Sequence, residues 1–434
     1  MNHTETIEKV KAKVLVDGFQ IVPDIEKSHG ATLVDKKDGR EILDLGYSQF
    51  GSLTLGYNHP AMQDKEYLKR LMAASDIRWA LSDVYPDYYG DFVDAFSKVV
   101  PKEYSHFFFI DGGGLSVENA LKVAFDWKTR KNLQVDVTPG NAIIHFKGAF
   151  HGRTGYTLSM TNTFDPNKHK YFPKFDWPRV HNPVATFSRD GKVTYDNEEL
   201  AKRQIESAIE RFGSRIAALM IEPIQGEGGD GYFSPDFFRY LRKSADQNNF
   251  LLLFDEVQTG WATGAWWAHE TVTGGVKPDI FTFGKKVQQC GIAATSRVDD
   301  TDNVFKVSSR INSTWGGTLG DMVRSTKYME VIKKEKLHDS VAKRGEQIKK
   351  ALLETDESIV TNIRGKGGWQ AFTLPTPQMR DALWKEVYKQ GCLVLKSGEK
   401  SIRLRLNLAL TPEETDKGMG ILLTAIKGIP KGTN

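Results

Sequence analysis

The stretch from Phe250 to Gly291 constrains this chain more than any other. It opens with an apolar run, FLLLF (Phe250 to Phe254), and passes directly into DEVQTG (Asp255 to Gly260). After a loop with several Gly and Trp residues comes a second run, Ile280 to Phe283, which delivers Gly284, Lys285 and Lys286. Continuous apolar runs that stop abruptly at polar residues are the pattern of strands buried on both faces, as in parallel sheets covered by helices. Ligands bind such sheets at the carboxyl ends of the strands. A carboxylate at one strand end and a lysine at the next are therefore expected to share a crevice.

Burying a carboxylate and a lysine is costly unless they are paired or used. Pyridoxal phosphate uses both, a lysine to bind its aldehyde and an Asp to partner its pyridinium nitrogen. Plainer readings fit the same residues. Asp255-Glu256 also matches the acidic pair of a metal-dependent NTPase, or a helix N-cap followed by a first-turn acid. Lys285-Lys286 also matches a solvated surface pair.

The 434 residues are 40% hydrophobic and 26% charged, which suits a globular chain with one large and one smaller domain. The net charge of +4 arises from interspersed residues of both signs, so neither nucleic acid nor membrane is indicated as a partner. The N-terminus, MNHTETIEKVKAKVLVDG, has no apolar core, and no stretch approaches the roughly 18 residues of a membrane span. Cytoplasm is the expected location. Cys290 and Cys392 are too few for a disulfide framework, and Cys290 reads as a small buried hydrophobe.

Along the chain, ATLVDKKDGREILDL reads as two short strands around an Asp-Gly turn. An aromatic loop, YSQFGSLTLGYNHP, precedes a helix ending near Met72. Strand residues Phe107 to Ile110 then run into DGGGLSVENALKVAFDW, where Val117, Ala120, Leu121 and Ala124 repeat at helical spacing. Glycines 112–114 thus stand between a strand and a helix start, where free amides and the helix dipole favour a phosphate. A simple tight turn would look the same. The strand Ala142 to Phe146 leads to Phe150, His151 and Arg153: an aromatic able to stack on a ring and a guanidinium able to clamp a carboxylate. His151 reads as a structural hydrogen-bonding residue, because no second ligand sits at metal spacing.

A helix over Glu198 to Phe212 and a strand from Ile216 follow, ending in EPIQGEGGDG. Ser234-Pro235 starts the next helix as cap and first-turn proline. Beyond the lysines, IAATS is a strand, Asn312, Ser313 and Thr314 form a hydroxyl-rich loop suited to phosphate, and one long helical region runs to about Thr355. Short strands, CLVLK and IRLRLNL, precede a final helix capped by Thr411. Arg403, Arg405 and Asn407 share one face of IRLRLNL, an alternation usual for a solvated face.

FDEVQTG, PDIFTFGKK, EPIQGEGGD, AFHGR, GGGLSVENALK and NSTWGG, in register over roughly residues 30 to 410, resemble the class III pyridoxal-phosphate-dependent aminotransferases of fold type I. The strings FPKFDWPR, AFDWK, GKKVQQCG and NVFKVSSRINSTWGG resemble more narrowly the L-lysine 6-aminotransferases. The resemblance implies an α/β fold: a large domain (61–319) with a mostly parallel seven-stranded sheet, and a smaller α+β domain from both termini (1–60 and 320–434). It implies transfer of the terminal amine of L-lysine to 2-oxoglutarate; ornithine or 4-aminobutyrate as donor, or a non-catalytic pyridoxal-phosphate-binding relative, are the alternatives.

It also implies roles residue by residue. Lys285 matches the cofactor-binding lysine, with Lys286 as the alternative. Asp255 matches the acid at the ring nitrogen and Gln258 the partner of the ring hydroxyl; Val257 and Phe150 would cover the two ring faces. Gly113 and Gly114 match the phosphate turn, completed by Thr314 from a second subunit, which implies a homodimer with shared sites. Arg403 matches the arginine for 2-oxoglutarate and glutamate, Glu227 its switch partner, and Arg153 the arginine for lysine's carboxylate. The sequence departs from the family pattern in its third glycine, in the loop between Asp255 and Lys285, and in NTFDPNKHKYF, a segment without an assigned role.

Overall fold

A computed structural model describes residues 1–46, 50–135 and 138–429; Tyr47, Ser48 and Gln49 of the aromatic loop lie outside the described residues. Seven strands form the central sheet in the order Tyr104–Ile110, Cys290–Thr295, Ile280–Phe283, Leu251–Glu256, Ile216–Ile221, Ala142–Phe146, Arg179–Val180. Cys290–Thr295 runs antiparallel to both of its neighbours, and the other pairings are parallel. The mostly parallel seven-stranded sheet expected from the sequence is therefore present. Every residue of Leu251–Glu256 and of Ile216–Ile221 is buried, as continuous apolar runs require when helices cover both faces.

Two helices show how the covering layers are built. Gly113–Asn132 buries Val117, Ala120, Leu121, Ala124 and Trp127 on one side and starts at the carboxyl end of Tyr104–Ile110. Its N-cap, Gly112, has φ +98°, a conformation that a side chain would strain. Pro235–Gln247 begins with the Ser234 hydroxyl accepting from the Phe237 amide at 2.8 Å. Phe238 on that helix meets Phe254 of the sheet edge-on, with ring centroids 5.5 Å apart.

Segments from the two terminal regions meet. Glu41–Asp44 pairs antiparallel with Thr32–Val34 and parallel with Cys392–Leu393, and the Ala31 amide donates to Glu414 at 2.7 Å. Thr411 caps the last helix, Pro412–Gly428, with a reciprocal bond from Glu414. Among the described residues no helix is long and apolar enough to cross a membrane.

Two expectations are corrected. The single helical region to Thr355 is two helices, Leu319–Lys334 and Leu337–Leu353, broken where Lys336 adopts φ +52°, which a right-handed helix does not continue through. IRLRLNL has no solvated face. Ser401–Arg405 lies between Trp369–Thr373 and Leu395–Ser397 in a four-stranded sheet, and Arg403, Arg405 and Asn407 are all buried. Buried guanidinium groups need partner charges; Arg405 has Asp230, and its guanidinium carbon also lies 3.2 Å from the Trp369 ring centroid.

Candidate active site

Adjacent strand ends bring the first pieces together. In the parallel register Thr282 lies opposite Asp255, and its hydroxyl donates to Asp255 Oδ1 at 3.0 Å. The Val257 amide donates to the same oxygen at 3.0 Å, and His151 Nδ1 to Oδ2 at 2.8 Å. Three donors thus hold a buried carboxylate in one orientation. Burial works against a charged His151, but the hydrogen bond and charge of Asp255 outweigh it, and its pKa is raised. His151 is a structural hydrogen-bonding residue, as its sequence context suggested. Glu256, one residue on, points to the opposite face and binds the Ala268 and His269 amides at 2.7 and 2.9 Å and the His269 ring at 2.7 Å. Asp255 and Glu256 therefore do not form an acidic pair facing one ligand.

Lys285 follows the last residue of Ile280–Phe283 by two positions and has φ +48°, a conformation uncommon outside glycine that often marks functional sites. It lines the same cavity as Asp255, Gly113, Phe150, Val257 and Gln258, and its ammonium nitrogen lies 3.3 Å from the Phe50 carbonyl. Burial first, and then the Arg403 charge, lower its pKa to about 8. Lys286 is fully buried elsewhere, donating to the Leu53 carbonyl at 2.8 Å. Lys285 is the lysine that shares a cavity with Asp255, and the solvated-pair reading fails.

The glycine turn closes the cavity on another side. A Cβ on Gly113 would stand 2.5 Å from Val257 Cγ1, so glycine alone allows the helix start to approach this close. Nearby, Glu222 accepts from the Phe150 amide at 3.1 Å and the Gly226 amide at 2.8 Å. Burial pushes its pKa up to about 7. Sequence reasoning missed Glu222, although a carboxylate immediately after IAALMI repeats the signal that singled out Asp255. Thr282 sits mid-strand without any such signal.

Glu227 forms an ion pair with the buried Arg403, while its other oxygen lies 3.3 Å from Lys168. Burial opposes charge on Glu227, yet Arg403 and Lys168 together hold its pKa down at about 2. Nε and Nη1 of Arg403 have no hydrogen-bond partner among the described residues. Thr314 is exposed and absent from the cavity of its own chain. Arg153, one residue beyond Gly152 of the cavity wall, is exposed and makes no ion pair among the described residues. Cys290 is half-buried rather than sealed in the core. A larger, mostly apolar cavity of about 670 Å³ lies apart, between the N-terminal helix and Phe19 and Leu33, and lacks this charge arrangement.

A family model for aminotransferase class-III matches residues 16–426. The chain belongs to the class-III aminotransferases. It is 42% identical over 428 residues to an L-lysine-epsilon aminotransferase of Mycobacterium tuberculosis, covering 96% of this chain and 94% of that one. It is 41% identical to an L-lysine-epsilon aminotransferase of Amycolatopsis lactamdurans, over 95% and 93% of the two chains. The solved structure of a lysine aminotransferase from M. tuberculosis in its internal aldimine form superposes with a TM-score of 0.93 at 40% identity, covering 98% of this chain and 99% of that one.

Class-III aminotransferases work with pyridoxal phosphate, and the donor set here fits that group. A 20-residue helix begins at a wall that only glycine permits, offering free amides to a phosphate. A buried carboxylate, fixed by three donors, lies in the same cavity as a lysine whose amine is easily made neutral.

Proposed function

We propose that this aminotransferase moves the terminal amino group of L-lysine to 2-oxoglutarate, giving 2-aminoadipate 6-semialdehyde and L-glutamate. The observation that carries this reading is the near full-length likeness to lysine-epsilon aminotransferases of two genera. Pyridoxal phosphate, when bound, supplies an aldehyde that takes up the amine and a cationic ring that accepts the electron pair released at the reacting carbon. Lys285 would hold that aldehyde and, once released, carry a proton to and from the reacting carbon. Asp255, braced by His151 and Thr282, would keep a proton on the ring nitrogen. Gln258 would donate to the ring hydroxyl oxygen, Val257 and Phe150 would cover the two ring faces, and the Gly113 and Gly114 amides would bind the phosphate. Thr314 would join them from a second copy of the chain, making the enzyme a homodimer; its exposure on its own chain supports this. We further read the enzyme as cytoplasmic, with residues 61–319 as the cofactor-binding domain and 1–60 with 320–434 as the smaller one.

The choice of the terminal amine is a problem of charge. When that amine reacts, the reacting carbon bears hydrogen where 2-oxoglutarate bears a carboxylate, and lysine's carboxylate lies about 5–6 Å farther along the chain. A free Arg403 would draw that carboxylate to the wrong place and favour the α-amine. Glu227 on Arg403 neutralises it, leaving the carboxylate to Arg153. For 2-oxoglutarate, Glu227 moves aside and frees Nη2 of Arg403, which together with the unpartnered Nε or Nη1 offers a carboxylate fork.

Turnover with L-lysine, L-ornithine and 4-aminobutyrate, each with 2-oxoglutarate, tests the assignment. L-lysine should react fastest and give a product that retains its α-amine. Faster reaction with either other donor would replace the reading, and no turnover with any would leave a pyridoxal-phosphate-binding relative without catalysis.

A further inference from the structure

We infer that Lys168 is a positioning residue that receives Glu227 when an incoming dicarboxylate displaces it from Arg403; this rests on the proposed role of Glu227 as a switch. Glu227 is shared between two cations: Oε1 faces Arg403, and Oε2 lies 3.3 Å from the Lys168 ammonium. Lys168 is the last residue of a short 3-10 turn, Pro166–Lys168, capped by Asp165, in the segment to which family resemblance gave no role. Its ammonium also stands 5.9 Å from the Phe150 ring centroid, at the cavity wall.

Two charges would explain neutralisation of Arg403; three explain movement. A carboxylate pulled from a buried guanidinium with no second partner is left unpaired in a poorly hydrated place, which strongly resists displacement. With Lys168 already on its other oxygen, Glu227 gives up one cation and keeps one. Arg403 then meets the acceptor's carboxylate, and Glu227 is never left without a cation. Lys168 suits a receiving role, since its side chain is 24% exposed and its stem is flexible, whereas Arg403 is fixed at 4% exposure.

The test uses the cofactor-loaded enzyme. Because the pair is partly solvated, Lys168→Met should raise KM for 2-oxoglutarate, and the dissociation constant of the unreactive dicarboxylate glutarate measured by calorimetry, by about fivefold. The kcat of the lysine half-reaction should change less than twofold, and the melting temperature should stay put. Lys168→Arg should restore glutarate binding. In a Glu227→Ala background, Lys168→Met should have no further effect on glutarate. Equal losses in both half-reactions, unchanged glutarate binding in the single variant, or a Lys168 effect that persists without Glu227 would each overturn the inference. If Glu227→Ala alone fails to weaken the lysine half-reaction relative to the glutamate half-reaction, the switch itself is wrong.

Discussion

The two ends of the site are built on opposite plans. At the cofactor end, Asp255 accepts from three protein donors and Glu222 from two backbone amides, all from buried or half-buried groups. At the substrate end, Glu227 is divided between two cations, and Arg403 keeps two nitrogens without partners among the described residues. The first arrangement is held from several sides by the protein's own donors; the second leaves donors of Arg403 free for a ligand. An aminotransferase needs this difference, because it performs the same chemistry twice on one cofactor but must accept two molecules whose charges lie in different places. Changes at the cofactor end should therefore harm both half-reactions alike, and changes at the substrate end should harm them unequally.

Lys285 gives the largest expected effect. Lys285→Ala removes the amine proposed to move the proton, so both half-reactions should slow by about 10⁴-fold or more, measured in single turnovers. Lys286→Met should leave the chemistry in place and lower stability by about 1–3 kcal/mol, because the Leu53 carbonyl loses its buried donor. The reverse pattern would exchange the two lysines. Uptake of pyridoxal phosphate by the cofactor-free protein adds a pH test. Only the neutral amine attacks an aldehyde, and the lowered pKa of Lys285, about 8, means that the uptake rate should rise with pH and level off just above that value. An unperturbed lysine would go on rising towards its usual 10.5.

The cofactor end was also the more legible one in the sequence. Asp255 and Lys285 each end a continuous apolar run, and strand pairing places their neighbours in register, so local pattern and sheet geometry suffice. Ser234 before Pro235, and Thr411 before Pro412, were readable because a cap and its helix are adjacent. The substrate end depends on contacts between distant segments. Arg403 and Arg405 look like solvated charges until Glu227 and Asp230, more than 170 residues earlier, come to meet them. Lys168 carries no motif at all, and only the folded chain brings it to Glu227. The break at Lys336 was hidden for another reason: a single left-handed residue interrupts an otherwise helical pattern without a glycine or proline to mark it.

Glu227→Ala should show the asymmetry most clearly. Freed from its partner, Arg403 would compete for lysine's carboxylate, and lysine turnover should fall by about thirtyfold, the scale of losing one partner from a buried charge pair. The glutamate half-reaction, for which Glu227 only has to leave, should change little, and reaction at the α-amine of lysine should increase. Product analysis distinguishes the aldehyde formed at the terminal carbon from the 2-oxo acid formed at the α-carbon. Equal loss in both directions would mean that Glu227 supports the fold of the loop around Gly226 and does not set the charge of Arg403.

Thr282→Val is the smallest and most symmetric change. The side chain keeps its shape, but Asp255 loses one of three donors. Val257 and His151 still orient the carboxylate, so the ring nitrogen would keep its partner in a looser arrangement, and kcat should fall by about fivefold. Both half-reactions should share that loss, with KM for lysine and for 2-oxoglutarate unchanged. A loss confined to one substrate would show that the strand carrying Thr282 transmits its position to the substrate end, and the division between a fixed half and a movable half would then run through Asp255 itself.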